Sequence, residues 1–123
     1  MQITIQPQGT LAIYEQIVNQ MKHAIVTGEM MPGDALPSIR GLATDLKVSV
    51  ITTKRAYEEL EKEGLIRSVA GKGFYVCEYN SDYFREKQLM ILEIHLAEVI
   101  QEAKEAGINC QELTEMVQTL YEN

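Results

Sequence analysis

The sequence predicts a mainly α-helical chain with one small β-hairpin, which is an α+β fold class. Three observations support this prediction. Apolar residues recur at helical spacing along most of the 123 residues. Serines that are suited to cap helices stand before two short segments of this kind. Two β-prone segments then flank a Gly-Lys-Gly tip, which is the pattern of a hairpin.

The first helix is predicted from about residue 12 to residue 27. Its apolar face keeps the spacing of one buried side and consists of Tyr14, Ile17, Val18, Met21 and Ile25. Gly28 suits the left-handed position that follows a helix, and Pro32-Gly33 prevents continuation. Ahead of this helix, the alternation of Ile3, Thr4 and Ile5 predicts a short edge strand.

Two short helices follow, each with a serine at its start. Ser38 and Ser49 are placed to accept a hydrogen bond from a free N–H of the first helical turn. The residues Lys47-Val48 turn the chain between the helices, and Gly64 ends the second of them. The inner faces are predicted to consist of Ile39, Leu42, Ala43 and Leu46 in one helix and Thr53, Ala56, Tyr57 and Leu60 in the other.

A hairpin is predicted after these helices. Residues 65–69 and 74–77 are β-prone, and residues 70–73 supply glycines at the tip between them. Two capped helices followed by such a hairpin are the pattern of a winged helix-turn-helix, a fold that places one helix in the DNA major groove. We therefore assign residues 1–77 to a winged helix-turn-helix domain that binds DNA.

Residues 78–123 are predicted to form a two-helix tail. A long amphipathic helix runs from Ser81 to about Ala106, and Asn109 and Glu112 form a capping box for the last helix. We expect the apolar stripe to be a dimer seam and not a cofactor site, because two helices cannot readily enclose a metabolite but can pair with a second copy. The predicted seam consists of Leu89, Leu92, Leu96, Val99, Leu113, Met116 and Leu120.

The net charge of −7 argues at first against nucleic-acid binding. Its distribution changes this conclusion. Residues 1–77 carry eight acidic and eight basic side chains, whereas residues 78–123 carry ten acidic and three basic ones. The excess of negative charge therefore lies in the tail, and the local basic face of the first domain is what matters for DNA.

The second of the two short helices is the candidate recognition helix. Lys54 and Arg55 lie outside its buried stripe, where a helix in the major groove can reach base edges. Thr52 is short enough to reach a phosphate or a base. The alternative is that Lys54 and Arg55 are ordinary solvated charges, and this helix alone does not decide between the two interpretations.

Arg40 and Lys72 are two further candidate contacts. The helix dipole disfavours a cation in a first turn, so a nearby DNA phosphate would explain Arg40, with pairing to Asp34 or Asp45 as the alternative. Lys72 stands at the glycine-flanked tip of the hairpin, where it can meet the minor groove or its phosphates. The alternative there is a turn that needs glycine only for its backbone.

A set of fixed spacings runs through residues 13–76. They are Tyr14-Glu15-Gln16-Ile17, Pro32-Gly33, Leu36-Pro37-Ser38-Ile39-Arg40, Leu42-Ala43, Val48-Ser49, Thr52, Arg55-Ala56-Tyr57, Leu60, Glu63-Gly64-Leu65-Ile66 and Gly71-Lys72-Gly73. Together they resemble the DNA-binding domain of the GntR family of bacterial transcription regulators. The resemblance implies DNA contacts by Ser38, Arg40, Ser49, Thr52, Lys54, Arg55, Tyr57, Gly71, Lys72 and Gly73. Ile51 departs from the Asn of many relatives, and an isoleucine there can touch a thymine methyl instead of making a polar base contact.

The short tail resembles that of the YtrA subfamily, since most members of the family carry a large C-terminal effector domain. This implies a homodimeric transcriptional regulator, with repression of a transporter or stress-response operon as the expected role. Two recognition helices would enter successive major grooves of an inverted repeat. The alternative is a winged-helix module that binds proteins and not DNA, with the acidic tail as its partner surface. The sequence does not identify a small-molecule effector.

Other classes of protein lack support in the sequence. No nucleophile–base pair, carboxylate dyad or phosphate loop stands out, so we expect neither an enzyme nor a cofactor. The two histidines and two cysteines show no metal-ligand spacing, so no metal site is expected. The chain shows no signal peptide and no apolar run that would span a bilayer, which favours the cytoplasm.

Overall fold

The structure, a computed structural model, describes residues 2–78 and 81–123 of the chain. These residues form five α-helices and one two-stranded antiparallel sheet. In chain order the elements are α1 (Ile13–Val26), α2 (Ile39–Leu46), α3 (Val50–Lys62), β1 (Ile66–Val69), β2 (Gly73–Val76), α4 (Ser81–Glu105) and α5 (Cys110–Glu122). The predicted fold class, mainly helical with one small hairpin, is confirmed.

The chain divides into two compact units, Met1–Tyr79 and Asn80–Asn123. The first unit contains α1, α2, α3 and the hairpin, and the second contains α4 and α5. Within the described ranges, no helix has both the length and the apolar character that a membrane crossing requires.

The helix α1 occupies nearly the predicted range because its apolar residues share one side. Ile17, Met21 and Ile25 are buried, and this side packs against α3. At its end the Thr27 hydroxyl donates to the carbonyl of His23 at 2.8 Å. The chain then turns away from the helix.

Both predicted serine caps are formed. The Ser38 Oγ accepts a hydrogen bond from the Gly41 N–H at 2.9 Å, and the Ser49 Oγ accepts one from the Thr52 N–H at 3.0 Å. Gly41 makes room for the first cap, because a Cβ at this position would lie 2.9 Å from the Ser38 Oγ. Between the helices Lys47 adopts a left-handed backbone with a φ of 59°, which costs a residue with a side chain about 1–2 kcal/mol.

The core of the first unit is built around α3. The stripe predicted for this helix is confirmed, since Thr53, Ala56, Tyr57 and Leu60 are all fully buried. The Thr53 hydroxyl is satisfied there because it donates to the Ser49 carbonyl at 3.1 Å. The hairpin side of the same core consists of Leu65, Ile66 and Val76.

The hairpin strands pair antiparallel, in the register that places Ile66 opposite Val76. A further segment pairs with β2, although the local sequence does not predict it. Residues 33–36 run along β2, where the Leu36 N–H donates to the Phe74 carbonyl at 2.9 Å. This pairing ties the chain just before α2 to the hairpin.

The edge strand expected at residues 3–5 is wrong. The N–H and the carbonyl of Thr4 bond instead to the side-chain amide of Gln20, at 2.9 and 2.8 Å. Gln16 holds the backbone of Gln6 in the same way, at 2.8 and 2.9 Å. A glutamine side chain offers the same donor and acceptor as a peptide group, so it takes the place of a partner strand.

The second unit confirms the two predicted helices. The Asn109 side chain accepts the Glu112 N–H at 2.9 Å, and the Glu112 carboxylate accepts the Asn109 N–H at 3.3 Å, which completes the capping box. Much of the apolar surface of this unit stays uncovered within one chain. The exposed large apolar side chains of the two helices include Leu89, Met90, Ile91, Leu92, Ile94, Leu96, Val99, Ile100, Met116, Val117 and Leu120.

Candidate nucleic-acid interface

The side of α3 that faces away from the core carries Ile51 and Lys54. Ile51 is 81% exposed. The Lys54 side chain is 64% exposed, and its Nζ lies 3.9 Å from the Glu58 Oε1 one turn further on. An exposed pair of this kind is worth about 0–1 kcal/mol, so Lys54 can exchange Glu58 for a group on DNA.

The N-terminus of α3 presents two hydroxyls. The Ser49 Oγ donates to the Thr52 Oγ1 at 2.7 Å while it accepts the N–H of the same threonine. Each hydroxyl has one hydrogen that it can donate, and the hydrogen bond between the two hydroxyls occupies one of these two hydrogens. The pair therefore retains one hydrogen that can be donated to a phosphate or to a base acceptor.

Arg40 is exposed in the first turn of α2. Among the residues that the structure describes, no ion pair joins it to Asp34 or Asp45. The Asp34 carboxylate accepts the Met31 N–H instead, at 2.8 Å. Arg40 thus adds a positive charge at the helix end where the backbone dipole also favours an anion.

Arg55 differs from Lys54 because α1 holds its side chain. Its guanidinium carbon lies 3.8 Å from the centroid of the Tyr14 ring. At an exposed site such a cation–π contact contributes about 0.5–1 kcal/mol. Arg55 therefore helps to fasten α3 to α1, and its contact with DNA stays a prediction.

The structure corrects one member of the predicted contact set. The Tyr57 side chain is fully buried, so it cannot reach DNA. Its hydroxyl donates to the Pro37 carbonyl at 2.7 Å, and its ring meets the Phe74 ring edge to face, with 5.0 Å between centroids. Burial raises the pKa of Tyr57 well above its ordinary value, so the hydroxyl remains a donor. Tyr57 is a positioning residue that joins α3 to the start of α2 and to β2.

The hairpin tip exposes Gly71, Lys72 and Gly73. The two glycines adopt φ angles of 74° and 104°, so the turn itself requires them. The Lys72 N–H donates to the Val69 carbonyl at 2.9 Å, which closes the turn. The glycines therefore meet the backbone requirement of the turn, the Lys72 side chain is left on the surface, and contact of the tip with DNA stays a prediction.

Two residues support this interface without belonging to the predicted contact set. Gly41 stands three residues after Ser38 and leaves room for the cap, since a Cβ there would lie 2.9 Å from the Ser38 Oγ. For Tyr14, the sequence predicts a place on the inner face of α1 and in the family pattern, but no partner. Its contact with Arg55 has no local signal, because the two residues are distant in the sequence.

The two cysteines differ in burial, and neither belongs to a metal-binding cluster among the described residues. Burial raises the pKa of the half-buried Cys77 thiol, and Cys110 is exposed on α5. In residues 2–78 and 81–123, no group of three or more His, Cys, Asp or Glu side chains is arranged to hold a metal ion.

Two capped helices, the second with an exposed outer side, and a glycine-tipped hairpin define a winged helix-turn-helix, a class of DNA-binding domain. Residues 13–76 match the family model for bacterial regulatory proteins of the gntR family. The chain belongs to this GntR family.

The similarity extends to whole chains. The chain is 37% identical over 118 residues to the HTH-type transcriptional repressor YtrA of Bacillus subtilis (strain 168), which covers 96% of this chain and 91% of the relative. A transcriptional antiterminator from Listeria monocytogenes EGD-e has a similar fold, with a TM-score of 0.79 and 30% identity over 98% of this chain and 90% of that one. The AraR DNA-binding domain in complex with operator ORR3 matches 63% of this chain and 93% of its own, with a TM-score of 0.53 and 27% identity.

These similarities confirm the predicted resemblance to the GntR family and to YtrA-like members within it. The protein is a GntR-family transcription regulator with a winged-helix DNA-binding domain. Its relatives are regulators of transcription and not enzymes.

Proposed function

We propose that the protein is a homodimeric repressor that binds an inverted-repeat operator in double-stranded DNA. The observation that carries this proposal is that Tyr57 connects α3 to the start of α2 and to the hairpin, and that each of these three elements has an exposed cation. Arg40 lies at the start of α2, Lys54 on α3 and Lys72 at the hairpin tip, and all three are exposed. The similar AraR domain in complex with an operator supports a DNA-binding role for this arrangement.

The proposed contacts divide by chemistry. Lys54 can donate to guanine O6 and N7 from α3 in the major groove. Arg40 and the capping serines suit phosphate oxygens, which position the protein without reading sequence. Lys72 and the amides beside it suit the minor groove or its phosphates. The proposed contacts are Ser38, Arg40, Ser49, Thr52, Lys54, Arg55, Gly71, Lys72 and Gly73.

Residues 78–123 would join two copies of the chain. The apolar residues that α4 and α5 leave exposed exceed the scattered surface apolar residues of a typical monomer. A second copy covers the same patch by two-fold symmetry. The seam would consist of Leu89, Leu92, Leu96, Val99, Leu113, Met116 and Leu120, and residues 1–77 would form the DNA-binding domain.

The two-fold axis sets the geometry of the operator. Two recognition helices related by this axis would enter major grooves about one DNA turn apart, roughly 34 Å, which suits an inverted repeat. The acidic charge of residues 78–123 would keep the tails away from the DNA. The name of the similar YtrA protein supports repression as the outcome of binding.

Two measurements on the intact protein test the proposal. Sedimentation equilibrium at micromolar concentration should give a dimer. Nuclease footprinting on the DNA upstream of its own gene should show two protected stretches with two-fold symmetry, about one helical turn apart. A monomer in sedimentation would refute the dimer.

A second result separates DNA binding from the alternative function. Equal affinity for the upstream DNA and for random DNA of the same length would refute an operator-specific regulator. Failure to bind either DNA, together with a correctly folded protein, would instead favour a winged-helix module that binds proteins.

A further inference from the structure

Ile51 is the most exposed apolar residue of α3, with 81% of its surface accessible. Val50 beside it is 42% exposed, whereas the other apolar residues of this helix are buried. Both lie in the first turn, directly after the Ser49 cap. β-Branched residues are weaker helix formers than most, so neither core packing nor helix propensity explains two of them at this place.

Position and chemistry together limit what Ile51 can do. The first turn of a recognition helix is the part that reaches base edges in the major groove. A hydrocarbon side chain there cannot exchange hydrogen bonds with a base. The C5 methyl of thymine is the apolar group on the base-pair edges of this groove, so it is the partner that Ile51 can contact favourably.

The same side chain discriminates against other base pairs. Pressed against a G·C edge, Ile51 would remove water from the guanine O6 and N7 acceptors and from the cytosine amino group without replacing their hydrogen bonds. Ile51 therefore both attracts thymine and penalises its competitors.

We infer that Ile51, with Val50 beside it, is a specificity-determining residue that contacts a thymine methyl group in each half-site of the operator. This inference rests on the proposed function, because it requires α3 to lie in the major groove of a specific site. Lys54 and Ile51 would then recognise different parts of the operator sequence. The lysine would contact a polar base edge, and the isoleucine would contact an apolar methyl group.

The test removes single methyl groups from DNA. The intact protein first selects its preferred duplex from a random library. Each thymine of that duplex, in both half-sites at once, is then replaced by deoxyuridine, which lacks the methyl group and keeps all hydrogen-bonding groups. At one position the wild-type protein should lose about fourfold in affinity per half-site, as expected for about 0.8 kcal/mol of lost apolar contact.

The variant Ile51→Ala is the second half of the test, because it shortens the side chain that is proposed to contact the methyl group. This variant should bind the thymine duplex as weakly as the wild type binds the deoxyuridine duplex, and it should not distinguish the two. The substitution is at an exposed position, so the fold should be retained. Val26→Ala is the matched control, because Val26 is 46% exposed at the end of α1 and should keep the full discrimination.

Two results would overturn the inference while leaving the proposed function intact. One is a selected duplex in which deoxyuridine is tolerated at every thymine. The other is an Ile51→Ala variant that still shows the fourfold discrimination per half-site. If the library yields no preferred duplex at all, the proposed function fails and this inference fails with it.

Discussion

The hydroxyl of Tyr57 donates a 2.7 Å hydrogen bond to the carbonyl of Pro37. Pro37 directly precedes the Ser38 cap, so this bond holds the start of α2 to α3 from inside the core. The same ring meets Phe74 of β2 edge to face. One buried side chain thereby connects α3 to the start of α2 and to the hairpin.

Tyr57→Phe should lower the free energy of unfolding by about 1 kcal/mol, because it leaves the Pro37 carbonyl without its donor. Operator affinity should fall as well, although Tyr57 touches no DNA. Urea unfolding and fluorescence anisotropy measure the two effects. Tyr75→Phe is the control, since its hydroxyl makes only a 3.3 Å exposed bond to the Lys72 carbonyl. A Tyr57→Phe protein as stable as the wild type would contradict the role given to this bond.

Lys54→Ala should weaken operator binding by about 1–3 kcal/mol and relax the preference at one base pair. Glu58→Gln is the matched control, because it removes the ion-pair partner of Lys54 and keeps the lysine. This control should bind the operator at least as well as the wild type. Anisotropy on the operator and on single-base variants measures both. If Lys54→Ala keeps full affinity, the residue is an ordinary surface charge.

Lys72→Ala should reduce affinity for all DNA sequences alike, because a phosphate contact carries no sequence information. The slope of log K against log salt concentration should become shallower by about one unit. Lys62→Ala, at the opposite end of α3 from the proposed contacts, should leave the slope unchanged. Equal slopes for wild type and Lys72→Ala would show that the hairpin stays off the DNA.

Leu92→Glu should shift the protein from dimer to monomer at micromolar concentration, because a carboxylate in the seam would lose its water without gaining a partner. Ile94→Glu is a close control. The two residues have nearly equal exposure, 60% and 59%, and lie about 200° apart around α4, so only Leu92 belongs to the proposed seam. Sedimentation velocity distinguishes the outcomes. Dissociation by Ile94→Glu alone would place the interface on the other side of α4.

Local patterns predicted most of the fold. The caps at Ser38, Ser49 and Asn109 depend on residues three positions apart, so a short window of sequence contains all the information they need. The buried stripe of α3 follows from helical periodicity in the same way. Two predictions for Tyr57 disagreed, since helical periodicity places it in the core and the family resemblance implies a contact with DNA. The residue is buried, so periodicity gave the correct answer.

Contacts between distant residues could not be predicted. The pairing of residues 33–36 with β2 and the stacking of Arg55 on Tyr14 join segments whose local sequence gives no sign of the partner. The left-handed backbone at Lys47 also has no signal in its residue type; this residue is the C-cap of α2, where the Val48 N–H donates to the Ala43 carbonyl at 3.0 Å. The apolar residues Met90, Ile91 and Ile94 lie outside the stripe that periodicity selected, because α4 is apolar on more than one side.

The two glutamines that hold the N-terminal segment have a consequence for experiments on this protein. Gln16 and Gln20 bind the backbone of Gln6 and Thr4 through amides that carry no charge and do not titrate. Added salt screens charged groups and leaves such neutral bonds nearly unchanged. A salt titration of DNA binding therefore reports on the cations at the DNA and not on loosening of this segment, so the measured slope can be interpreted as a count of phosphate contacts.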